Sequence, residues 1–225
     1  MNIKHVFFDL DHTLWDFDKN SKLTFEQIFE EQNLNINIDT FLAIYMPINL
    51  KYWRLFRENK ILKEDLRHKR LKEAFDALNF KISDEQINII SEDYISYLPN
   101  HNYLFEGTFE LLEYLIKKYE LHIITNGFEE VQNIKLKKSG INKYFKEVIT
   151  SESIGVKKPN PKIFKFALEK AKAAPHNSIM IGDSYEADVE GAINVGMEAI
   201  YFTNTNKTSS KVSSVKSLVE IKQYL

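Results

Sequence analysis

The feature that most constrains the fold is a regular alternation of helical and extended segments, which begins at Gly107. Repeated helix–strand units form parallel sheets with right-handed crossovers. The apolar run Ile3–Phe8 adds a buried strand of the parallel type. The sequence therefore predicts an α/β fold with a doubly wound, Rossmann-like parallel sheet. The predicted helix–strand pairs are Thr108–Tyr119 with Leu121–Thr125, Glu129–Ser139 with Glu147–Thr150, Pro161–Lys172 with Ser178–Gly182, and Tyr185–Asn194 with Ala199–Phe202.

A helical region precedes this pattern and contains no glycine, because all seven glycines lie from Gly107 onward. Apolar side chains recur at helical spacing over Thr40–Phe56, and Pro47 lies inside that segment. We expect the helix either to be kinked at this proline or to begin there. The run Ser83-Asp84-Glu85 is typical of the start of a helix. The predicted domains are a core at 1–16 and 99–225 and an inserted all-helical domain at 17–98.

Composition excludes several classes of protein. The net charge of −2 provides no basic field of the kind that nucleic-acid binding requires. The absence of cysteine excludes disulfides, thiolate zinc sites, iron–sulfur clusters and cysteine nucleophiles. No apolar stretch approaches the roughly 18 residues that a membrane span needs. We expect a cytoplasmic protein, monomeric or homodimeric, that binds neither nucleic acid nor a membrane.

Polar side chains follow the predicted strands at the points where the apolar sequence stops. Asp9 and Asp11 follow the first strand, Thr125 and Asn126 lie at the end of the second, and Asp183 follows the strand ending at Gly182. Ligands of open parallel sheets bind at the carboxyl ends of the strands. Lys158, after the third predicted strand of the chain, and Asp188 belong to the same predicted edge.

Converging carboxylates indicate a metal. Asp9, Asp11 and Asp183 would repel one another and their pKa values would rise unless a cation joined them. Mg²⁺ prefers oxygen ligands and leaves room for substrate phosphate oxygens. Lys158 and the polar groups near Thr125 would bind the phosphate group of the substrate. An aspartate can attack phosphorus, and a second carboxyl group can serve as general acid and base.

These residues form four motifs that resemble those of the haloacid dehalogenase-like hydrolases. The motifs are Asp9-Leu10-Asp11-His12-Thr13, Thr125-Asn126, Lys158-Pro159 and Gly182-Asp183-Ser184-Tyr185-Glu186-Ala187-Asp188. The resemblance implies that Asp9 is the nucleophile and a Mg²⁺ ligand. It implies that Asp11 is the acid and base and binds the metal through its backbone carbonyl.

The same resemblance assigns the remaining motif residues. Thr125, with Asn126 beside it, and Lys158 bind phosphate, Asp183 is a metal ligand, and Asp188 supports the metal from its outer shell. The second aspartate, Asp11, is typical of phosphatases and phosphomutases in this superfamily rather than of its dehalogenases.

The helical insertion resembles the C1 cap of the superfamily, which closes over the site and contacts the leaving group. The run Ile48–Arg54, with Asn59-Lys60-Ile61 and Leu66-Arg67, resembles bacterial pyrimidine 5′-nucleotidases, although Asn59 stands where glycine is usual. Asn49 and Trp53 are the substrate candidates, with Tyr52 an alternative stacking ring. The simpler interpretation is that these aromatic residues only pack the insertion. The four arginines Arg54, Arg57, Arg67 and Arg70 are expected on a solvated helical face.

Three hypotheses follow. The first is a Mg²⁺-dependent phosphatase acting through an aspartyl-phosphate on a small phosphate ester, specifically a 5′-nucleotidase for pyrimidine nucleoside monophosphates. The second is a sugar-phosphate or phosphoglycolate phosphatase, or a phosphomutase, on the same scaffold. The third is a binding protein without catalytic activity, against which the intact motifs argue.

Overall fold

The computed structural model describes residues 2–203 and 212–225. The chain divides into two compact units, one formed by Met1–Phe17 and Asn102–Leu225 and the other by Asp18–His101. We call these the core unit and the helical unit. The Ser-, Asn- and Lys-rich segment that follows Thr203 lies largely outside the described residues.

A single parallel sheet forms the centre of the core unit. Its order is β3-β2-β1-β4-β5-β6, and every neighbouring pair of strands is parallel. The predicted doubly wound α/β fold is therefore confirmed. The strands are β1 (His5–Phe8), β2 (Glu120–Thr125), β3 (Phe145–Thr150), β4 (Ser178–Gly182), β5 (Glu198–Phe202) and β6 (Ser213–Val215).

The register of the central strands determines which polar residues meet at the sheet edge. Phe8 is paired with Ile123 on one side and Ile181 on the other. The residues that follow these positions are consequently neighbours, and the backbone N–H of Asp9 donates to the carbonyl of Ile181 at 2.9 Å. Apolar side chains hold this arrangement rigidly, because Phe8, Ile123 and Ile181 are fully buried.

The predicted helices over 108–119, 129–139 and 161–172 are present, each slightly shorter than predicted, and three other elements differ from the prediction. The short helix Ser151–Ile154 was not predicted. The predicted helix Tyr185–Asn194 is a π-helical segment, Tyr185–Glu190, followed by a short α-helix at Gly191–Ile193. The short strand β6 was not predicted, because Ser213-Ser214-Val215 has only one apolar residue to indicate it. The core helices are α5 (Thr108–Leu115), α6 (Glu129–Lys138), α7 (Ser151–Ile154), α8 (Pro161–Ala171) and α9 (Gly191–Ile193).

The helical unit contains four α-helices: α1 (Phe17–Glu31), α2 (Ile38–Arg57), α3 (Lys63–Ala77) and α4 (Asp84–Tyr97). Ser83 caps α4 as predicted, since its hydroxyl accepts from the N–H of Gln86 at 3.1 Å. The helix α2 runs continuously through Pro47, so the alternative in which it begins there is wrong. Aromatic rings form the interior of this unit, namely Phe25, Phe29, Phe41, Tyr45, Phe75 and Tyr94.

Asparagine takes the place of glycine at the helix ends of this glycine-free region. Asn59, which follows α2, has a φ of 55° in the left-handed region. The N–H of Lys60 closes the turn on the carbonyl of Leu55 at 2.9 Å. Asparagine tolerates this conformation better than most residues, so the turn keeps the geometry that a glycine would give it. Asn33 and Asn79 also take a left-handed φ, of 53° each. Within the described residues, none of the helices has the length and apolar character needed to cross a membrane.

Candidate active site

Lys158 lies at the centre of the polar cluster at the carboxyl edge of the sheet. Its Nζ contacts Asp9 Oδ1 at 2.6 Å and Asp188 Oδ1 at 2.7 Å. It also donates to the carbonyl of Ile124 at 2.6 Å. The side chain is almost completely buried, at 2% exposure. Burial opposes the charged ammonium, but the two carboxylates outweigh that penalty and raise the pKa of Lys158 above its ordinary value.

Three carboxylates meet beside this lysine. One oxygen each of Asp9, Asp183 and Asp188 lies within 4.8 Å of the others. Burial raises the pKa of Asp9 well above its ordinary value, and the neighbouring Asp188 and Asp183 raise it further. Burial and the charge of Asp188 raise the pKa of Asp183 to about 7. The single positive charge of Lys158 does not neutralise the three carboxylates. Their oxygen atoms are the type of ligand that a hard divalent cation such as Mg²⁺ prefers.

Short backbone segments bring these groups together. Thr13 Oγ1 donates to Asp183 Oδ1 at 3.2 Å and accepts from the Asp183 N–H at 3.1 Å. The N–H of Ser184 donates to Asp188 Oδ2 at 3.0 Å. A Cβ atom on Gly182 would overlap the Asp188 carboxylate. Glycine is therefore required at this strand end for the backbone to approach Asp188.

Asp11 is held by two residues that the sequence analysis missed. Lys135 Nζ donates to Asp11 Oδ1 at 2.6 Å, and Gln132 Nε2 donates to Asp11 Oδ2 at 2.9 Å. Gln132 also donates to Thr125 Oγ1 at 2.8 Å. Both side chains are buried and lie three residues apart on one face of α6. The sequence signal that could have revealed them is a pair of polar residues on the inner face of a predicted helix.

Lys135 is also packed against aromatic rings. Its Nζ lies 4.0 Å from the centre of the Trp15 ring. Burial lowers the pKa of Lys135, although the Asp11 carboxylate acts in the opposite direction. Trp15 belongs to the loop after Asp11, in which His12 takes a left-handed φ of 63°. The N–H of His12 closes this loop on the carbonyl of Trp15 at 3.0 Å.

Thr125 and Asn126 occupy different positions relative to the cluster. Thr125 Oγ1 accepts from the N–H of Gly127 at 3.1 Å and shares Gln132 with Asp11. The Asn126 amide instead pairs with the backbone of Lys158, accepting from its N–H at 2.8 Å and donating to its carbonyl at 3.0 Å. In the structure Asn126 thus orders the Lys158 segment, and phosphate binding by Asn126 stays a prediction.

The two substrate candidates lie in the helical unit and differ in exposure. Asn49 is 3% exposed, and its Oδ1 accepts from Arg70 Nη1 at 2.8 Å and from Tyr45 Oη at 3.4 Å. Trp53 is only partly buried and packs edge-on against Phe56. The expectation that Arg70 lies on a solvated face is wrong, because this residue is 2% exposed.

A profile of the family described as haloacid dehalogenase-like hydrolases matches residues 3–196. The chain belongs to this family. It is 30% identical to the pyrimidine 5′-nucleotidase YjjG of Escherichia coli over 98% of this chain and 96% of that protein. It is 32% identical to a glyceraldehyde 3-phosphate phosphatase of Methanothermobacter thermautotrophicus over 95% of this chain and 91% of that protein.

The fold agrees with that of solved members. The magnesium-bound crystal structure of the putative HAD-hydrolase YfnB from Bacillus subtilis superimposes with a TM-score of 0.91 at 26% identity, covering 100% of this chain and 99% of that one. This haloacid dehalogenase-like hydrolase is therefore an enzyme and a phosphatase. Its relatives act on different phosphate esters, so the family fixes the reaction class and leaves the substrate open.

Proposed function

We propose that this phosphatase is a Mg²⁺-dependent 5′-nucleotidase that hydrolyses pyrimidine nucleoside monophosphates through an aspartyl-phosphate. The observation that carries the chemistry is the pairing of two differently held aspartates at one strand end. Asp9 lies in the cluster of carboxylates around Lys158, whereas Asp11 is held by Lys135 and Gln132. Two carboxyl groups in different surroundings can divide the roles of nucleophile and acid–base.

In the proposed reaction, an Asp9 carboxylate oxygen attacks phosphorus as the bond to the nucleoside 5′-oxygen breaks. Asp11 donates its proton to that oxygen, which releases the nucleoside. Asp11 then takes a proton from a water molecule as the water oxygen attacks phosphorus. The phosphorus–Asp9 bond breaks, and inorganic phosphate and free Asp9 result. Lys158 and Thr125 bind the phosphoryl oxygens, which gain negative charge during both steps.

The residues that would hold Mg²⁺ are Asp9, Asp183 and the backbone carbonyl of Asp11, with Asp188 supporting them. The geometry supports this assignment, since Asp9, Asp183 and Asp188 each place a carboxylate oxygen within 4.8 Å of the others and Mg²⁺ prefers oxygen ligands. When bound, the cation would offset the charge of the phosphoryl oxygens and the nucleophile.

Two findings support the pyrimidine nucleotide as substrate. One is the overall similarity to the E. coli relative, whose name specifies pyrimidine 5′-nucleotides. The other is the Asn49–Arg54 run in the helical unit, which resembles that subfamily. Trp53 is the stronger candidate for a stacking face because its ring is partly exposed. Asn49 is the weaker candidate, because it is only 3% exposed and its side-chain oxygen accepts from Arg70.

The test compares kcat/KM for dUMP, glyceraldehyde 3-phosphate, phosphoglycolate and p-nitrophenyl phosphate. A pyrimidine nucleotidase should prefer dUMP over the sugar phosphate by about tenfold or more. Trp53→Ala should reduce that ratio, Trp53→Phe should retain most of it, and both should leave p-nitrophenyl phosphate turnover unchanged. Equal turnover of the sugar phosphate and dUMP by the wild-type enzyme would refute the nucleotidase assignment and leave the phosphatase assignment intact.

The second candidate is a sugar-phosphate phosphatase, which the 32% identity to the glyceraldehyde 3-phosphate phosphatase favours. The same panel separates the two, because this enzyme would show the opposite ratio. A phosphomutase would instead require an activating bisphosphate, so the addition of one to the assay identifies that case.

A further inference from the structure

A second group of potential metal ligands lies at the opposite end of the same strands. His5 begins β1 and is paired in register with Glu120, the first residue of β2. His122 lies two residues further along β2, so it points to the same face of the sheet as Glu120. His5 and Asp9 are separated by four residues of extended chain, or about 13 Å at 3.3 Å per residue. The two groups of ligands are therefore distinct.

The distances between the three side chains match those of a tetrahedral metal site. His5 Nδ1 lies 3.3 Å from His122 Nε2 and 3.5 Å from Glu120 Oε2. Two donor atoms that each lie about 2.1 Å from a metal at the tetrahedral angle are separated by about 3.4 Å. One atom from each of the three residues lies within 4.8 Å of the others, so the group needs little rearrangement to share a cation.

The two imidazoles are held in fixed positions within the core unit, and His5 is only 8% exposed. His122 is fully buried and stacks on Phe7 at 4.6 Å between ring centres, which fixes its ring plane. Its Nδ1 has no hydrogen-bond partner in the described structure, so Nε2, which faces His5, is its one engaged nitrogen there.

Glu120 supplies the negative charge and the access to solvent. Its side chain is 45% exposed. Lys146 Nζ contacts its Oε1 at 2.9 Å, which leaves Oε2 directed at His5. Lys146 and Lys4 disfavour a cation here, but the Glu120 carboxylate, 3.5 Å from His5 Nδ1, acts in the opposite direction. Water would complete four-coordination on the exposed side.

We propose that His5, His122 and Glu120 form a binding site for a borderline transition-metal cation such as Zn²⁺, separate from the Mg²⁺ carboxylate cluster. Two imidazoles and one carboxylate select Zn²⁺, Ni²⁺ or Co²⁺ over Mg²⁺, which prefers oxygen ligands and octahedral geometry. The site joins the starts of β1 and β2, and a bound cation would stabilise the folded chain. This inference does not depend on the substrate of the enzyme.

The experiment measures Zn²⁺ binding by calorimetry to the tag-free, full-length chain after removal of metal. All proteins carry Asp183→Asn, which weakens binding at the carboxylate cluster. We expect one equivalent of Zn²⁺ to bind, and the visible absorption of four-coordinate Co²⁺ to appear in a parallel titration. Addition of His5→Gln should weaken Zn²⁺ binding by at least about tenfold, because even the loss of an outer-shell partner costs that much.

The matched control is His176→Gln, since His176 is an exposed histidine of the same unit outside the group. It should leave both Zn²⁺ binding and the Co²⁺ absorption unchanged. Glu120→Gln alters an exposed residue and decides the question if the His5 variant fails to fold by circular dichroism. Absence of Zn²⁺ binding to the Asp183→Asn protein, or equal affinity in the Glu120 and His176 variants, would overturn the proposal.

Discussion

Lys158 in the core unit and Arg70 in the helical unit are both buried cations, at 2% exposure each, but their surroundings differ. Lys158 contacts the carboxylates of Asp9 and Asp188 at 2.6 and 2.7 Å. Arg70 contacts the Asn49 amide oxygen and lies over the rings of Tyr45 and Tyr94, at 5.9 and 5.1 Å from their centres.

The difference separates a chemical role from a structural one. A buried ion pair is costly unless its geometry is good, and replacement by apolar residues is often more favourable. We therefore propose that the cluster of one lysine and three carboxylates acts on a ligand rather than on stability. We interpret Arg70 as structural, because its contacts with two aromatic faces and one amide connect three helices of the unit.

The largest effect should come from removing the proposed nucleophile. Asp9→Asn keeps the size of the side chain but removes the charge that is proposed to attack phosphorus and one proposed metal ligand. We expect kcat to fall by about 10³ or more while the fold is retained. Steady-state kinetics with dUMP and p-nitrophenyl phosphate, together with circular dichroism, provide the check. Near-normal turnover by the folded variant would eliminate the aspartyl-phosphate mechanism.

The next effect concerns Lys158 itself. Lys158→Met removes the ammonium that is proposed to bind the phosphoryl oxygens, so kcat should fall by about 10²–10³. The adjacent Lys157→Met is the matched control, because it removes a lysine of the same segment while the Lys158 contacts with Asp9 and Asp188 remain. Similar losses in both variants would show that the segment, rather than the Lys158 charge, is responsible.

We expect Lys135 to affect catalysis by orienting the side chain of Asp11. Lys135→Met removes the donor 2.6 Å from Asp11 Oδ1, so the acid–base group loses its fixed orientation. We expect kcat with dUMP to fall by roughly 10–100-fold, and with p-nitrophenyl phosphate by less, because a good leaving group needs little protonation. Lys135→Arg should restore part of the difference. An equal loss on both substrates would argue against action through Asp11.

Arg70 should affect stability rather than chemistry. Arg70→Met keeps much of the volume but leaves the buried Asn49 oxygen without its closest donor. We expect the free energy of unfolding to fall by about 1–3 kcal/mol, with kcat for p-nitrophenyl phosphate unchanged. Arg54→Met, which alters an exposed arginine of the same unit, should change neither quantity. A large loss of activity in a folded Arg70 variant would show that Arg70 contributes to catalysis, contrary to this prediction.

The smallest effect is a dependence of stability on pH without metal. The pKa of Asp183 is raised from 3.8 to about 7, so between these values the folded chain binds more protons than the unfolded chain. Stability in EDTA should consequently fall as the pH rises from about 4 to 7, the reverse of the usual aspartate case. We expect the Tm to drop by a few degrees across this window, and Mg²⁺ to remove most of the drop at pH 7.5. A Tm in EDTA that does not change with pH would contradict the raised pKa of Asp183, because it would mean that Lys158 already offsets the negative charge of the carboxylates.

The parallel α/β fold could be predicted from local sequence patterns. The helix–strand alternation and the apolar strands such as Ile3–Phe8 are local patterns, and burial on both faces leaves few other arrangements for them. Asp9 and Asp183 were predictable as neighbours because strand ends of a parallel sheet meet at one edge. The predicted place of Asp11 among these carboxylates is taken by Asp188, since Lys135 and Gln132 hold Asp11 instead. The strand β6 and the π-helical segment at Tyr185–Glu190 were not, since pairing at the sheet edge and local backbone winding are weakly marked by side-chain type.

The partners of the charged groups could not be predicted, because they lie on elements that are distant in the sequence. Lys135 and Gln132 look like ordinary residues of a polar helix, and their contacts with Asp11 span 124 and 121 positions of sequence. Arg70 looks like a surface residue in a charged helix, yet α2 and α4 enclose it with Tyr45 and Tyr94. Local periodicity records which face of an element is apolar. It does not record which distant polar group offsets the cost of burying a charge, because that cost is balanced across elements that only folding brings together.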